Sequence, residues 1–434
     1  MQPSDGDKGA VVEEISPGSN AAAGGLVSVG DIIDSIEVNG NILLDCPRAP
    51  FDDIIAFISK NAGTNVKLAF THIELVSEEF NPTNMSPYWE NKRKERSKAP
   101  TVLRRTVGVV PEDIRILKIG PIGEGSFGTV FRGIWKGKDV VLKCAKLNVY
   151  GAAEFLDTEL ELNETVHRLA KGSCARFFGC CEIDHRKEGQ IYNGTLTAGL
   201  WLMWEYCGST TLLDALRQES KLIEITRDAF ELQHNPTSAE ASKLILYTIL
   251  ENLKKLHAAG IVHRDIKPDN ILFTANGLVF IDLGAAAQCL TAPKNYVVGE
   301  GPADPRYCLS SDLYLLPAGA PQPVIKNLQY LWDSYEPEKF DLFSVGIIML
   351  QLTITELRRP DALLQFRTEL DRFGGDLQKW RESNTADWMR DGSCSILDSD
   401  NGAGWNLASK LLHPSRKHRV SASDAAQHHF FNFF

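Results

Sequence analysis

The segment Ile261–Leu272, IVHRDIKPDNIL, constrains this chain more tightly than any other. It gathers a carboxylate (Asp265), an ammonium (Lys267) and a carboxamide (Asn270) into one short loop. The loop follows a helical pattern carrying Leu246, Ile249, Leu250, Leu253 and Leu256 on one face. Asp265 suits taking a proton from a hydroxyl, Lys267 suits neutralising a moving phosphoryl group, and Asn270 suits ligating a second Mg2+. Pro268 is expected to hold the loop extended, because the residue before a proline avoids helix. Downstream, the apolar strand Val279–Ile281 delivers Asp282-Leu283-Gly284. Asp282 can chelate Mg2+ that bridges phosphates, and the glycine lets the backbone turn. Each residue has a bland reading alone; the set at this spacing does not.

Upstream, Ile122–Val130 reads IGEGSFGTV between two apolar runs. Gly123, Gly125 and Gly128 remove β-carbons where a hairpin must approach polyphosphate, with Ile122, Glu124, Ser126, Phe127 and Val130 completing the nucleotide-facing loop. Val140-Val141-Leu142-Lys143 then ends a strand on a lysine placed to reach the first two phosphates of ATP. Lys143 needs an acidic partner from the following helix, Ala152–Leu169. Glu164 is the expected partner and Glu161 the alternate, the two sharing a helix face three residues apart.

On these motifs, residues 112–434 resemble a protein kinase. The resemblance implies an α+β, bilobal fold with a β-rich N-lobe, a helical C-lobe, and ATP with one or two Mg2+ in the cleft. It makes Leu202–Cys207 the strand and hinge beside adenine, through Glu205 and Cys207. Trp204 then sits either at the back of the pocket or in ordinary core. Lys267-Pro268 is similar to the loop of serine/threonine kinases, so protein substrates are implied. Tyr150-Gly151-Ala152, FIDLGAAA, Asn295-Tyr296, Asp304-Pro305-Arg306-Tyr307, KFDLFSVGIIMLQL and Asn401-Gly402-x-Gly-Trp405 narrow the resemblance to the chloroplast thylakoid state-transition kinases. That would imply light-harvesting or photosystem proteins as substrates and the stromal side of the thylakoid, with the cytoplasm as alternative. The membrane helix and the paired cysteines of that family are not matched in this chain.

Kinases usually carry Ala-Pro-Glu after the activation segment, where this chain has Leu309-Ser310-Ser311-Asp312. Asp312 is expected to pair with Arg419 in place of the usual glutamate. A proline-rich stretch (Pro317, Pro321, Pro323) before Asp341, the anchor of a central helix, reads as a surface insertion. Arg264 is placed to clamp a loop phosphate, yet the hydroxyls on offer are only Thr291, Tyr296 and Tyr307, so weak dependence on loop phosphorylation is expected. The competing reading is a kinase-like scaffold with little phosphoryl transfer.

The rest of the chain reads more simply. A net charge of -10 argues against nucleic acid as partner. Nine cysteines without a CxxC pair read as reduced thiols, with Cys180 and Cys181 as buried strand residues. No apolar run is long enough to span a bilayer, so membrane association would be peripheral, and the opening MQPSDGDKG resembles no signal or Arg-rich transit peptide. Residues 8–75 hold the strand-like GAVVEEI, a turn at Pro17-Gly18, the alternating VGDIIDSIEVNG, a helical Phe51–Lys60 and a closing strand Val66–Phe70. This order resembles a PDZ domain lacking its first strand and carboxylate-binding loop, a module for peptide or protein contact. Residues 76–111 are proline-bearing and charged, the composition of a linker.

Overall fold

The computed structural model describes residues 106–432 apart from 107, 108, 110, 126, 147, 148, 184–195, 197 and 384–393, together with the backbone of three earlier strands. The chain divides into two units, Met1–Ala99 and Pro100–Phe434. In the first unit, β1 (Ile32–Val38), β2 (Asn41–Asp45) and β3 (Val66–Thr71) pair antiparallel in the order β2-β1-β3. β1 and β3 coincide with the alternating and β-branched runs of the sequence. The GAVVEEI run, the turn at Pro17-Gly18, the Phe51–Lys60 helix and residues 76–105 lie outside the described residues.

The second unit opens with a five-stranded antiparallel sheet, order β4-β5-β6-β8-β7. Its strands are β4 (Ile114–Glu124), β5 (Gly128–Trp135), β6 (Lys138–Ala145), β7 (Phe177–Ile183) and β8 (Gly199–Glu205). Lys136 and Gly137 both take positive φ (49° and 77°) between β5 and β6, the backbone of the tight hairpin turn whose twist matches its strands. Side chains alternate across the sheet. Cys180, Leu202 and Trp204 therefore join Leu156 and Leu160 of helix α1 (Ala152–Leu169), while Cys181, Trp201 and Met203 join Ile114, Val140 and Leu142 on the other face. Both adjacent cysteines are buried strand residues, as their pattern predicts.

The remainder is mainly helical. Helix α2 (Ser238–Ala258) begins at a capping box, Thr237 Oγ1 accepting from Glu240 N and the Glu240 carboxylate accepting from Thr237 N. Helix α3 (Lys339–Thr353) is buried from Phe340 to Thr353, the pattern of a helix enclosed on every side. The segment α4 (Ser395–Leu411), helical on both sides of a break at Ser399–Gly402, packs on α3 in the same core. Between α2 and α3 run β9 (Ile261–Val262), the hairpin β10 (Ile271–Thr274) and β11 (Gly277–Phe280), and β12 (Ala287–Gln288), which pairs with β9. The expectation for Pro268 needs correction. Lys267 is extended (φ -153°, ψ 162°), but Pro268 itself starts a 3-10 turn, Pro268–Asn270. Its fixed φ and absent N–H suit the first position of a helical turn. The proline-rich insertion is exposed at Pro317 and Pro321.

Candidate active site

Asp341, fully buried near the start of α3, fixes the loop that carries Asp265. Its carboxylate accepts from the backbone N–H of His263 (2.9 Å) and Arg264 (2.8 Å) and lies 2.9 Å from His257 Nε2. Arg264 and Asp282 both hold positive φ (63° and 62°), a costly conformation for residues with side chains that clusters at functional sites. Arg264 is buried and donates from Nε to Ala285 O. A β-carbon on Gly301 (φ 145°) would lie 2.6 Å from Arg264 Nη1, so backbone packs directly over that guanidinium.

On this frame, Asp265 Oδ2 accepts from Asn270 Nδ2 at 2.7 Å, and Asp265 Oδ1 lies 2.9 Å from Lys267 Nζ. Across the cleft, Lys143 Nζ sits 2.9 Å from Asp282 Oδ1 and 2.8 Å from Glu159 Oε2. Burial pushes the Lys143 ammonium down, but the Glu159 and Asp282 carboxylates together outweigh it and hold the pKa above the ordinary lysine value. Burial likewise works against the Asp282 carboxylate, and Lys143 with the Gly284 N–H overcomes it, so Asp282 lies below its ordinary value. Glu159, fully enclosed, is pushed up to about 7 by burial, with Lys143 opposing and Asp282 adding to the rise.

Glu159 corrects the expected partner. Glu159 shares a helix face with Leu156 and Asn163, the face turned to the sheet. Glu164, five residues further, is rotated about 140° away, and it is exposed. Glu161 is exposed too, but it meets the activation segment: Lys294 Nζ lies 2.6 Å from Glu161 Oε2. Lys294 is fixed there by backbone pairing with Gln288 (3.0 and 3.2 Å). The sequence reading missed Glu159 and Lys294. Asn163 was missed as well; it accepts from Trp204 Nε1 at 2.8 Å and so ties α1 to β8.

The glycine loop closes over the lysine. A β-carbon on Gly128 would stand 2.8 Å from Lys143 Cε and 3.3 Å from Cys144 O, so any side chain there would push the Lys143 stem aside. Ile122, Gly123, Glu124, Gly125 and Phe127 are exposed on the loop and Val130 is half-buried. Phe127 stacks on Phe155 of α1 at 4.3 Å. Ser126 lies outside the described residues. After β8, Glu205 N donates to Arg176 O at 2.9 Å and Cys207 Sγ lies 3.5 Å from Glu205 O, both residues half-buried. Asp312 pairs with Arg419 at 3.1 Å as expected, and also with Arg416 at 2.7 Å. Tyr296 and Tyr307 are buried, whereas Thr291 is exposed.

The family model of the protein kinase domain matches residues 117–431. The chain belongs to the protein kinase family. It is 33% identical over 350 residues to the serine/threonine-protein kinase STN8, chloroplastic, of Arabidopsis thaliana, covering 71% of this chain and 68% of that protein. Arabidopsis STN7, chloroplastic, also a serine/threonine-protein kinase, is 33% identical over 333 residues, covering 72% of this chain and 56% of its own length. The crystal structure of a Stt7 homolog from Micromonas algae soaked with ATP superposes with a TM-score of 0.71 at 43% identity, over 77% of this chain and 96% of that one. The bilobal fold is that of the family, and the chain is a protein serine/threonine kinase using ATP and Mg2+.

Proposed function

We propose that Asp265, Lys267, Lys143, Glu159, Asn270 and Asp282 form one phosphoryl-transfer centre. The observation that carries this reading is the double grip on Lys143, by Glu159 at 2.8 Å and Asp282 at 2.9 Å, opposite an Asp265 held by Lys267 and Asn270. The residues fit the cofactor. Asp282, 46% exposed, and Asn270 offer oxygens for Mg2+. Lys143 and the loop Ile122–Val130 would hold the polyphosphate, and Glu205 and Cys207 the adenine. Bound Mg-ATP supplies the phosphoryl group and its charge neutralisation. The chain's own residues do the rest: Asp265 orients the hydroxyl and receives its proton, Lys267 sets a positive charge beside it, and Glu159 keeps Lys143 in register.

Purified chain with Mg-ATP and dephosphorylated casein should show transfer to serine or threonine, and Asp265→Asn should lower kcat at least about a hundredfold. Full activity in that variant would refute the assignment, and an inert wild type would favour the scaffold. For substrates we infer stroma-facing thylakoid proteins of the light-harvesting or photosystem kind, supported by the two chloroplast relatives. No helix among the described residues is long and apolar enough to cross a membrane, and the reading is peripheral contact. The first unit is read as a PDZ-like docking module for peptide. Washed thylakoids given this kinase and labelled ATP would test the substrate class; label confined to soluble proteins would overturn it.

A further inference from the structure

Lys267 is claimed from two sides. Its Nζ lies 2.9 Å from Asp265 Oδ1 and 4.0 Å from Asp304 Oδ2. Asp304 is itself tightly held: Arg306 donates from Nη2 to Oδ2 at 2.6 Å and from both Nε and its backbone N to Oδ1 at 3.0 Å. The backbone is fixed as well, since Asp304 O accepts from Tyr307 N (2.9 Å) and Cys308 N (3.1 Å). Tyr307 in turn is pinned to α3, through its hydroxyl to Gln351 Oε1 at 3.2 Å and through its carbonyl from Ser344 Oγ at 2.8 Å. The outcome is a row of alternating charge, Arg306, Asp304, Lys267, Asp265, entering from a 43% exposed guanidinium to side chains 15% and 22% exposed.

A lysine on a flexible stem loses much rotamer freedom when held in one place. With Asp265 as its sole carboxylate, Lys267 would be drawn fully onto the group that must meet the substrate hydroxyl. We propose that Asp304 is a positioning residue for phosphoryl transfer, sharing Lys267 with Asp265 so that the ammonium stays beside the acceptor site while Asp265 Oδ1 remains free to turn toward substrate. Arg306 holds Asp304 in place for this role. The inference rests on the roles given above to Asp265 and Lys267.

The test is steady-state kinetics with Mg-ATP and dephosphorylated casein for wild type, Asp304→Asn, Lys267→Ala and the double variant. Asp304→Asn should lower kcat about tenfold with the KM for ATP changed less than about twofold, and Asp304→Glu should recover part of the loss. In the Lys267→Ala background the same change should add less than about twofold, because its effect passes through the lysine. A kcat for Asp304→Asn within about twofold of wild type, or an equal loss in both backgrounds, overturns the proposal. A wild type unable to transfer phosphate refutes the active-site reading instead. Should Asp304→Asn fail to fold, Arg306→Gln carries the test: about a threefold fall in kcat, absent in the Lys267→Ala background.

Discussion

Replacing Asp312 by asparagine should destabilise the C-lobe. The carboxylate lies between two guanidinium groups, Arg416 Nη2 at 2.7 Å and Arg419 Nη2 at 3.1 Å, and the Arg419 side chain is 0% exposed. Removing one partner of a buried pair costs about 3–5 kcal/mol, because the other charge is left uncompensated. Here main-chain carbonyls soften the loss. Arg419 also donates to His413 O (3.0 Å) and Lys339 O (2.8 Å), and Arg416 to Leu315 O (2.7 Å). The net cost is therefore about 2–3 kcal/mol. For a domain of this size that lowers Tm by roughly 3–5 °C, read by thermal melting of purified protein. Adding Arg419→Met to the variant should return part of the loss, since only the Arg416 guanidinium, also held by main-chain carbonyls, is then left without its carboxylate. A Tm shift under about 1 °C for Asp312→Asn, or a double variant worse than the sum of its parts, would refute the argument.

Glu159→Gln should lower kcat about tenfold or more, whereas Glu164→Gln should stay within about twofold, a contrast read in one casein assay. Lys294→Glu sets two carboxylates against each other across the activation segment and α1, and should cut activity about threefold; adding Glu161→Lys should restore it, and no recovery would mean the pair does not position α1. Burial, with His429 and Lys410 nearby, depresses His428 from 6.5 to about 4. A depressed histidine contributes stability that is whole above its unfolded pKa and is lost as pH falls, here across about 6.5 to 4. Solvent screening trims the effect to about 1–2 kcal/mol. His428→Gln should flatten that slope in urea melts taken at pH 7 and pH 5, and an unchanged slope would refute the assignment.

What was legible in the sequence is what lies close along the chain. Asp265, Lys267 and Asn270 share one loop, so spacing alone brings them together, and the Asn270–Asp265 bond follows. The Asp282 turn and the Gly128 approach were readable for the same reason, each being a local backbone demand. Glu159 was not, because four glutamates along α1 satisfy any helix pattern, and only the helix's rotation against β6 and β8 selects among them. The Lys294–Glu161 pair joins segments far apart in sequence with no periodic signal. Asp312 could be matched to Arg419 through the family's missing glutamate, but nothing in the chain marked Arg416 as a second partner. The 3-10 turn at Pro268 shows the limit of a one-residue rule: proline restrains the residue before it and leaves the following backbone open.

The indole of Trp204 bears on how the upper lobe holds its helix. Its N–H is fastened to Asn163 at 2.8 Å and its ring lies among Leu156, Leu160, Phe177 and Leu202, so one side chain bolts the sheet to the helix that carries Glu159. Replacing it by glycine would cut that fastening and let the helix carrying Glu159 slip from the strand carrying Lys143.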